Sequence, residues 1–231
     1  MAQCRGRSGL AFLGWLLAVA PTLAETVAVA PGISVTRRSY DAPLNEMPFF
    51  GFGVKTAQQV AADQAFVASV ETSAGREAGF RRALQLAGQA LPGNDLASAA
   101  RRYNQAYLLN PAAPEVYHGF AIIAVARFRD AAYAEELFAI AARLKPGDPA
   151  ILADQARLLL TLGRPAEALP LLETVVRDPQ AGAMHWSNLG FAYAQTGQKA
   201  RACDALAQAR SKSPPAGLQN DLAGLAKLAA C

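Results

Sequence analysis

The sequence predicts an all-α solenoid, a short stack of helical hairpins with a capping helix at each end, and three observations predict it. The first is composition: the 231-residue chain is 52% hydrophobic, only 17% charged and 8% aromatic, and it is rich in alanine. Alanine loses no side-chain entropy in a helix and lets helices approach closely, so this mix favours packed helices over sheet. The second is a period: Ala99, Ala134, Ala168 and Ala202 are spaced by 35, 34 and 34 residues. Four residues after each alanine stands a large apolar side chain (Tyr103, Phe138, Leu172, Leu206), and three further on a smaller one (Ala106, Ala141, Val175, Ala209). The third is punctuation, because each unit closes on a proline: Pro111, Pro146, Pro179 and Pro214.

Spacings of four and three place all three apolar columns on one helix face. The alanine admits a neighbouring helix while the larger residue fills the adjacent hole. Proline then stops the helix, since it lacks an amide hydrogen and its ring clashes with the preceding turn. A unit this short cannot bury its apolar face alone, so successive units must stack.

The elements follow in chain order. Residues 1–24 read as an export signal: Arg5 and Arg7 form a basic start, Leu10 to Ala20 is an uncharged apolar run, and Pro21 followed by Thr22-Leu23-Ala24 supplies small residues before a cut at Glu25. The apolar run is short for a membrane span, which needs about 20 residues. The rival reading is an uncleaved anchor. Residues 25–55 form an extended arm. Thr26 to Val35 is small and β-branched with Pro31-Gly32 inside it, and Pro48-Phe49-Phe50-Gly51-Phe52-Gly53 follows. Phe49, Phe50 and Phe52 are a candidate docking sequence; the plainer reading folds them back onto the first helices. Residues 56–79 hold a capping helix that begins at Thr56, with Gln59 completing a capping box. Residues 80–214 hold four repeats, and one extra residue enters the second near Phe128-Arg129-Asp130. In residues 215–231, Leu218, Leu222 and Leu225 recur at helical spacing and form the closing helix.

The last unit carries Trp186, Leu189-Gly190, Tyr193, Gly197, Ala202, Leu206, Ala209 and Pro214. In these residues the chain resembles the tetratricopeptide repeat (TPR) family, whose 34-residue helix-turn-helix unit opens with tryptophan, leucine, glycine and tyrosine. The resemblance covers about residues 80 to 214 and is weakest in the first unit, with Ala83, Leu86 and Ala87. It implies a right-handed superhelix whose concave face, made by the first helix of each unit, holds a peptide or helix of a protein partner. The family's groove positions fall here on Glu115, His118 and Ile122, then on Asp154 and Arg157, then on Asn188 and Phe191. Asn188 stands where relatives use an asparagine on the ligand backbone. The plain alternative is that Asp154 and Arg157 only pair with each other on a solvated face.

Other chemistry finds little support. The formal charge of +4 falls to +2 once Arg5 and Arg7 are removed with the signal, and bases and acids are interspersed, so no nucleic-acid partner is expected. His118 and His185 fall in different units without acids or cysteines at ligand spacing, and no cofactor or metal is expected. There is no phosphate loop and no serine in a nucleophile elbow. Removal of the signal leaves Cys203 and Cys231. They lie 10 residues before and 18 after Ser213, an offset of about 12 Å if the last helices pair there, so a bridge is not expected. The resulting expectation is a non-enzymatic scaffold of the bacterial envelope, exported and periplasmic, or inner-membrane anchored if the signal stays. One alternative is an enzyme or enzyme subunit with a pocket between the aromatic arm and the repeats. Another is a membrane-tethered spacer, and membrane contact is expected only with a retained signal.

Overall fold

The computed structural model describes residues 25–231, so the export signal assigned to residues 1–24 lies outside the described residues. Ten α-helices follow a two-stranded hairpin: β1 (Thr26–Ala30), β2 (Ile33–Thr36), α1 (Ala57–Ser73), α2 (Arg76–Ala90), α3 (Leu96–Leu109), α4 (Pro114–Phe128), α5 (Ala131–Leu144), α6 (Pro149–Thr161), α7 (Pro165–Val175), α8 (Ala183–Gln195), α9 (Lys199–Ser211) and α10 (Gln219–Ala229). Helices α2 to α9 form four consecutive hairpins, and the architecture is an all-α solenoid.

Each hairpin is built on the repeating columns. Every residue of the alanine, large-apolar and small-apolar columns is buried, with Ala99, Ala134, Ala168 and Ala202 fully covered. Within each hairpin the helices are joined by a turn that needs one left-handed residue. These are Asn94 (φ 55°), Arg129 (φ 57°), Gly163 (φ 71°) and Gly197 (φ 79°), each five positions before its column alanine. Glycine takes this conformation without a steric cost, and asparagine tolerates it better than other side chains. The extra residue of the second unit is absorbed just before that turn: α4 has 15 residues where α6 and α8 have 13, and Arg129 caps it. Close approach sets one further glycine, because a β-carbon on Gly119 would overlap the ring of buried Tyr103.

The caps differ in quality. Thr56 and Gln59 exchange the reciprocal hydrogen bonds of a capping box at the start of α1. Yet no residue of α1 is buried, and only Phe66, Val67 and Val70 lean on the core. At the other end Leu218, Leu222 and Leu225 are buried, and Leu225 reaches over Gly190 of α8. The apolar interior divides into one large cluster from the arm to α6, another from α6 to α10, and a small one of Leu152, Ala153 and Val175 between α6 and α7.

Two expectations are corrected. Cys203 and Cys231 are bridged, with Cα atoms 5.7 Å apart. The expectation counted both helices from Ser213. Instead Pro214, Pro215 and a 3-10 turn over Ala216–Leu218 delay α10 to Gln219. Counted from the helix ends, Cys203 lies 8 residues back from Ser211 and Ala229 lies 10 on from Gln219, so their levels nearly match. Left-handed Ala230 (φ 60°) then turns Cys231 back.

The second correction concerns the docking sequence proposed within residues 25–55, since the arm folds back onto the helices as the plainer reading expects. β1 and β2 pair antiparallel about Pro31-Gly32, with Val27 opposite Val35. Pro48–Phe52 forms a tight left-handed turn, with Phe49, Phe50, Gly51 and Phe52 all near φ 53–60°. Phe49 is buried, so it is not available to an external partner, while Phe50 and Phe52 are half-buried.

Candidate functional site

Two faces carry chemistry, and each is positioned by the hairpins. On the face made by the first helices, α4 and α6 lie in neighbouring units. His118 of α4 places Nε2 2.8 Å from Asp154 Oδ2 of α6, and Arg157 Nη2 donates to Asp154 Oδ1 at 2.8 Å. One carboxylate thus joins two units and holds a guanidinium that stays 56% exposed. Ile122, Val125, Phe138 and Leu158 line an open cleft of about 280 Å³ beside Asp154 and Arg157. Burial and the Asp154 carboxylate push the Tyr103 phenol up to about 12, so it stays a neutral packing residue at neutral pH.

The other expected groove residues are not gathered there. Glu115 sits 3.6 Å from Lys145 Nζ. Phe191 is half-buried against the C-terminal cluster, and among the described residues no hydrogen bond or ion pair ties Asn188 or Phe191 to the His118 group. His185 has a local role: its Nδ1 accepts the Gly182 N–H at the start of α8.

The arm docks elsewhere, in the groove that the second helices α3 and α5 form with α4 between them. Asn104 of α3 is 1% exposed; its Nδ2 donates to the carbonyls of Asn45 (3.0 Å) and Met47 (2.8 Å), and its Oδ1 accepts the Phe50 N–H (3.2 Å). Phe49 packs between Tyr107, Tyr117 and Phe120, with ring centroids 5.2, 5.8 and 4.6 Å away. Tyr107 donates to the Val29 carbonyl (2.6 Å), Thr36 N–H donates to Glu136 (2.6 Å), and Glu46 binds both Arg101 and Arg127. Tyr40 stacks on Phe128 at 3.9 Å and donates to Asp130 at 3.0 Å.

Asn104 and this docking pattern were missed from sequence. A signal existed: Asn104 is the one polar residue in the apolar stripe Ala100, Tyr103, Asn104, Tyr107, and a buried amide needs partners. The cleft between the arm and the first repeat, the place for the alternative catalytic pocket, encloses about 210 Å³ beside Phe50, Arg101 and Asn104, and a neighbouring cleft between the arm and α1 encloses about 330 Å³ beside Phe50, Gln59 and Asp63. In the cleft beside α1 the charged residues Lys55 and Asp63 pair with each other, and the Lys55 ammonium stands 3.2 Å above the Phe50 ring.

No family model matches the sequence, and no curated protein does. Solved structures do match in fold. PilF of Pseudomonas aeruginosa aligns with a TM-score of 0.59 at 18% identity, over 66% of this chain and 70% of its own. TTC0263, a thermophilic TPR protein of Thermus thermophilus, aligns at 0.52 and 19% identity over 74% and 91%. YrrB, described as a TPR protein with an unusual peptide-binding site, aligns at 0.50 and 19% identity over 72% and 91%. The repeat columns and these likenesses together identify the chain as a protein of the tetratricopeptide-repeat fold.

Proposed function

We propose that the protein is a non-enzymatic adaptor of the bacterial cell envelope that holds a peptide or helix of a protein partner on its first-helix face. The observation that carries this reading is the His118–Asp154–Arg157 group, which bridges two units beside an apolar floor of Ile122, Val125 and Leu158. An open apolar surface with a few fixed polar groups suits recognition of a peptide, where side chains bury on the floor and polar groups set direction. The peptide site described for YrrB, on a similar fold, adds support.

An exported location is supported by the signal-like residues 1–24 and by the Cys203–Cys231 bridge, since disulfides persist in oxidising compartments. Among the described residues, no helix is long and apolar enough to cross a membrane. Periplasmic residence follows if the signal is removed, and inner-membrane anchoring if it is kept; mass measurement of the mature N-terminus separates the two.

The doubly substituted variant Arg157→Glu with Asn188→Ala is expected to lose at least tenfold in capture of the native partner, measured by comparative affinity purification from the host. Helicity and thermal midpoint should not change, because Arg157 is exposed and Asn188 makes no side-chain bond among the described residues. Undiminished capture would remove the first-helix face from the account.

A further inference from the structure

The groove that the arm fills has a structural equivalent two units further on. Counted from the column alanines, Asn104 and Tyr107 of α3 correspond to Glu173 and Val176 of α7, and Glu136 of α5 corresponds to Asp204 of α9. Counted from the helix starts, Tyr117 and Phe120 of α4 correspond to Trp186 and Leu189 of α8. In the first set these residues hold Phe49, the Asn45 and Met47 carbonyls, and the Thr36 N–H. In the second set all of them line one open cleft of about 490 Å³, and no described segment of the chain crosses it.

The polar groups of this second cleft have capacity left over. Trp186 Nε1 is buried with no hydrogen-bond partner. A buried donor without an acceptor costs about 1–3 kcal/mol, so it is an unexpected feature of a surface with no further role. Arg177 and Asp204 form no ion pair or side-chain hydrogen bond among the described residues, although both border the cleft. Glu173, by contrast, is already engaged, accepting from the Tyr193 hydroxyl (2.8 Å) and from Arg201 (2.9 Å). The cleft therefore offers an apolar floor of Val176, Trp186 and Leu189, one indole donor, one carboxylate acceptor and one guanidinium.

We propose that this cleft is a second binding site, apart from the His118 group, for an extended segment of a partner protein. That segment enters with an aromatic side chain and carries an acidic residue nearby. Its aromatic ring takes the place Phe49 has in the first groove. A backbone carbonyl accepts from Trp186 Nε1, and a backbone N–H donates to Asp204 as Thr36 does to Glu136. The acid meets Arg177, a pairing without a counterpart in the first groove, where Leu108 holds the place of Arg177 and Glu46 of the arm meets Arg101 and Arg127 of the repeats. The proposal stands independently of the first-helix reading, since it shares no residue with that face.

The test uses the full chain and a synthetic peptide with the sequence of residues 34–54, which contains Thr36, Glu46 and Phe49. Titration is followed by calorimetry and by the Trp186 indole N–H resonance, assigned through its loss in Trp186→Phe. The expected result is saturable one-to-one binding that moves this resonance. It should weaken at least tenfold in Arg177→Glu with Asp204→Lys, two exposed substitutions away from the buried columns. A peptide with Phe49, Phe50 and Phe52 replaced by alanine should not bind. An unmoved Trp186 resonance at saturating peptide, or binding indifferent to the charge changes, overturns the proposal. So does concentration-dependent dimerisation of the free protein that blocks the peptide, which would assign the cleft to a second copy.

Discussion

Phe49→Ala is expected to destabilise the protein by about 3 kcal/mol and to release the arm. Removing a buried phenylalanine costs about 3–5 kcal/mol in lost transfer energy and cavity, and Phe49 is 5% exposed amid Tyr107, Tyr117 and Phe120. The turn that presents it is itself unfavourable, because non-glycine residues in the left-handed region cost roughly 1–2 kcal/mol each. Phe49, Phe50 and Phe52 all lie there. Burial of the ring and the strain of the turn are thus of similar size, so without the ring the turn has little reason to persist. Urea unfolding gives the stability change, and limited proteolysis should cut within residues 25–55 while the helical signal of the repeats persists. A variant with an intact, protease-resistant arm would show that the hairpin and the ion pairs hold it without Phe49.

Asn104→Leu is expected to cost a similar amount by a different route. The substitution keeps the volume roughly constant, leaves the Asn45 carbonyl without its partner, and reduces the Phe50 N–H and the Met47 carbonyl to the one bond they make with each other (3.1 Å). A polar group left unpaired costs about 1–3 kcal/mol and each further lost bond about 0.5–1.5 kcal/mol, so the expected loss is about 2–3 kcal/mol. Asn104→Asp separates hydrogen bonding from polarity. The carboxylate still accepts from Phe50 but sets a negative charge against two carbonyl oxygens, so it is expected to rescue little. Thermal unfolding of the two variants beside the parent is sufficient; full rescue by aspartate would mean that the Phe50 bond alone fixes the turn.

The solenoid was legible because its determinants are local and repeated. An alanine, a large residue four later and a small one three beyond define a helix face without reference to anything distant, and four copies remove the ambiguity of one. The arm was not legible for the converse reason. Nothing in Pro48-Phe49-Phe50-Gly51-Phe52 demands a left-handed turn; Asn104, Tyr107 and Phe120 impose it from across the fold. The Cys203–Cys231 bridge was misjudged because two prolines and one left-handed alanine change the helix levels, and an argument from residue counts assumed a tight turn. On the first-helix face, three of the residues named from sequence, Ile122, Asp154 and Arg157, line one cleft, and His118 bonds to Asp154 at its side. Asn188 and Phe191 belong to a later unit, where Phe191 packs against the C-terminal core. The cleft around Trp186 escaped notice because tryptophan and tyrosine at those positions read as interlocking core residues, which Tyr193 is: it is buried and donates to Glu173 of the preceding hairpin.

The central claim is that the stacked hairpins present a binding surface across α4 and α6. Hydrogen–deuterium exchange on the protein alone and in complex with its captured partner tests this most directly. The account predicts slowed exchange in the segments spanning residues 115–126 and 150–161, with the arm unchanged. Protection confined to other segments, with α4 and α6 exchanging as in the free protein, would contradict it.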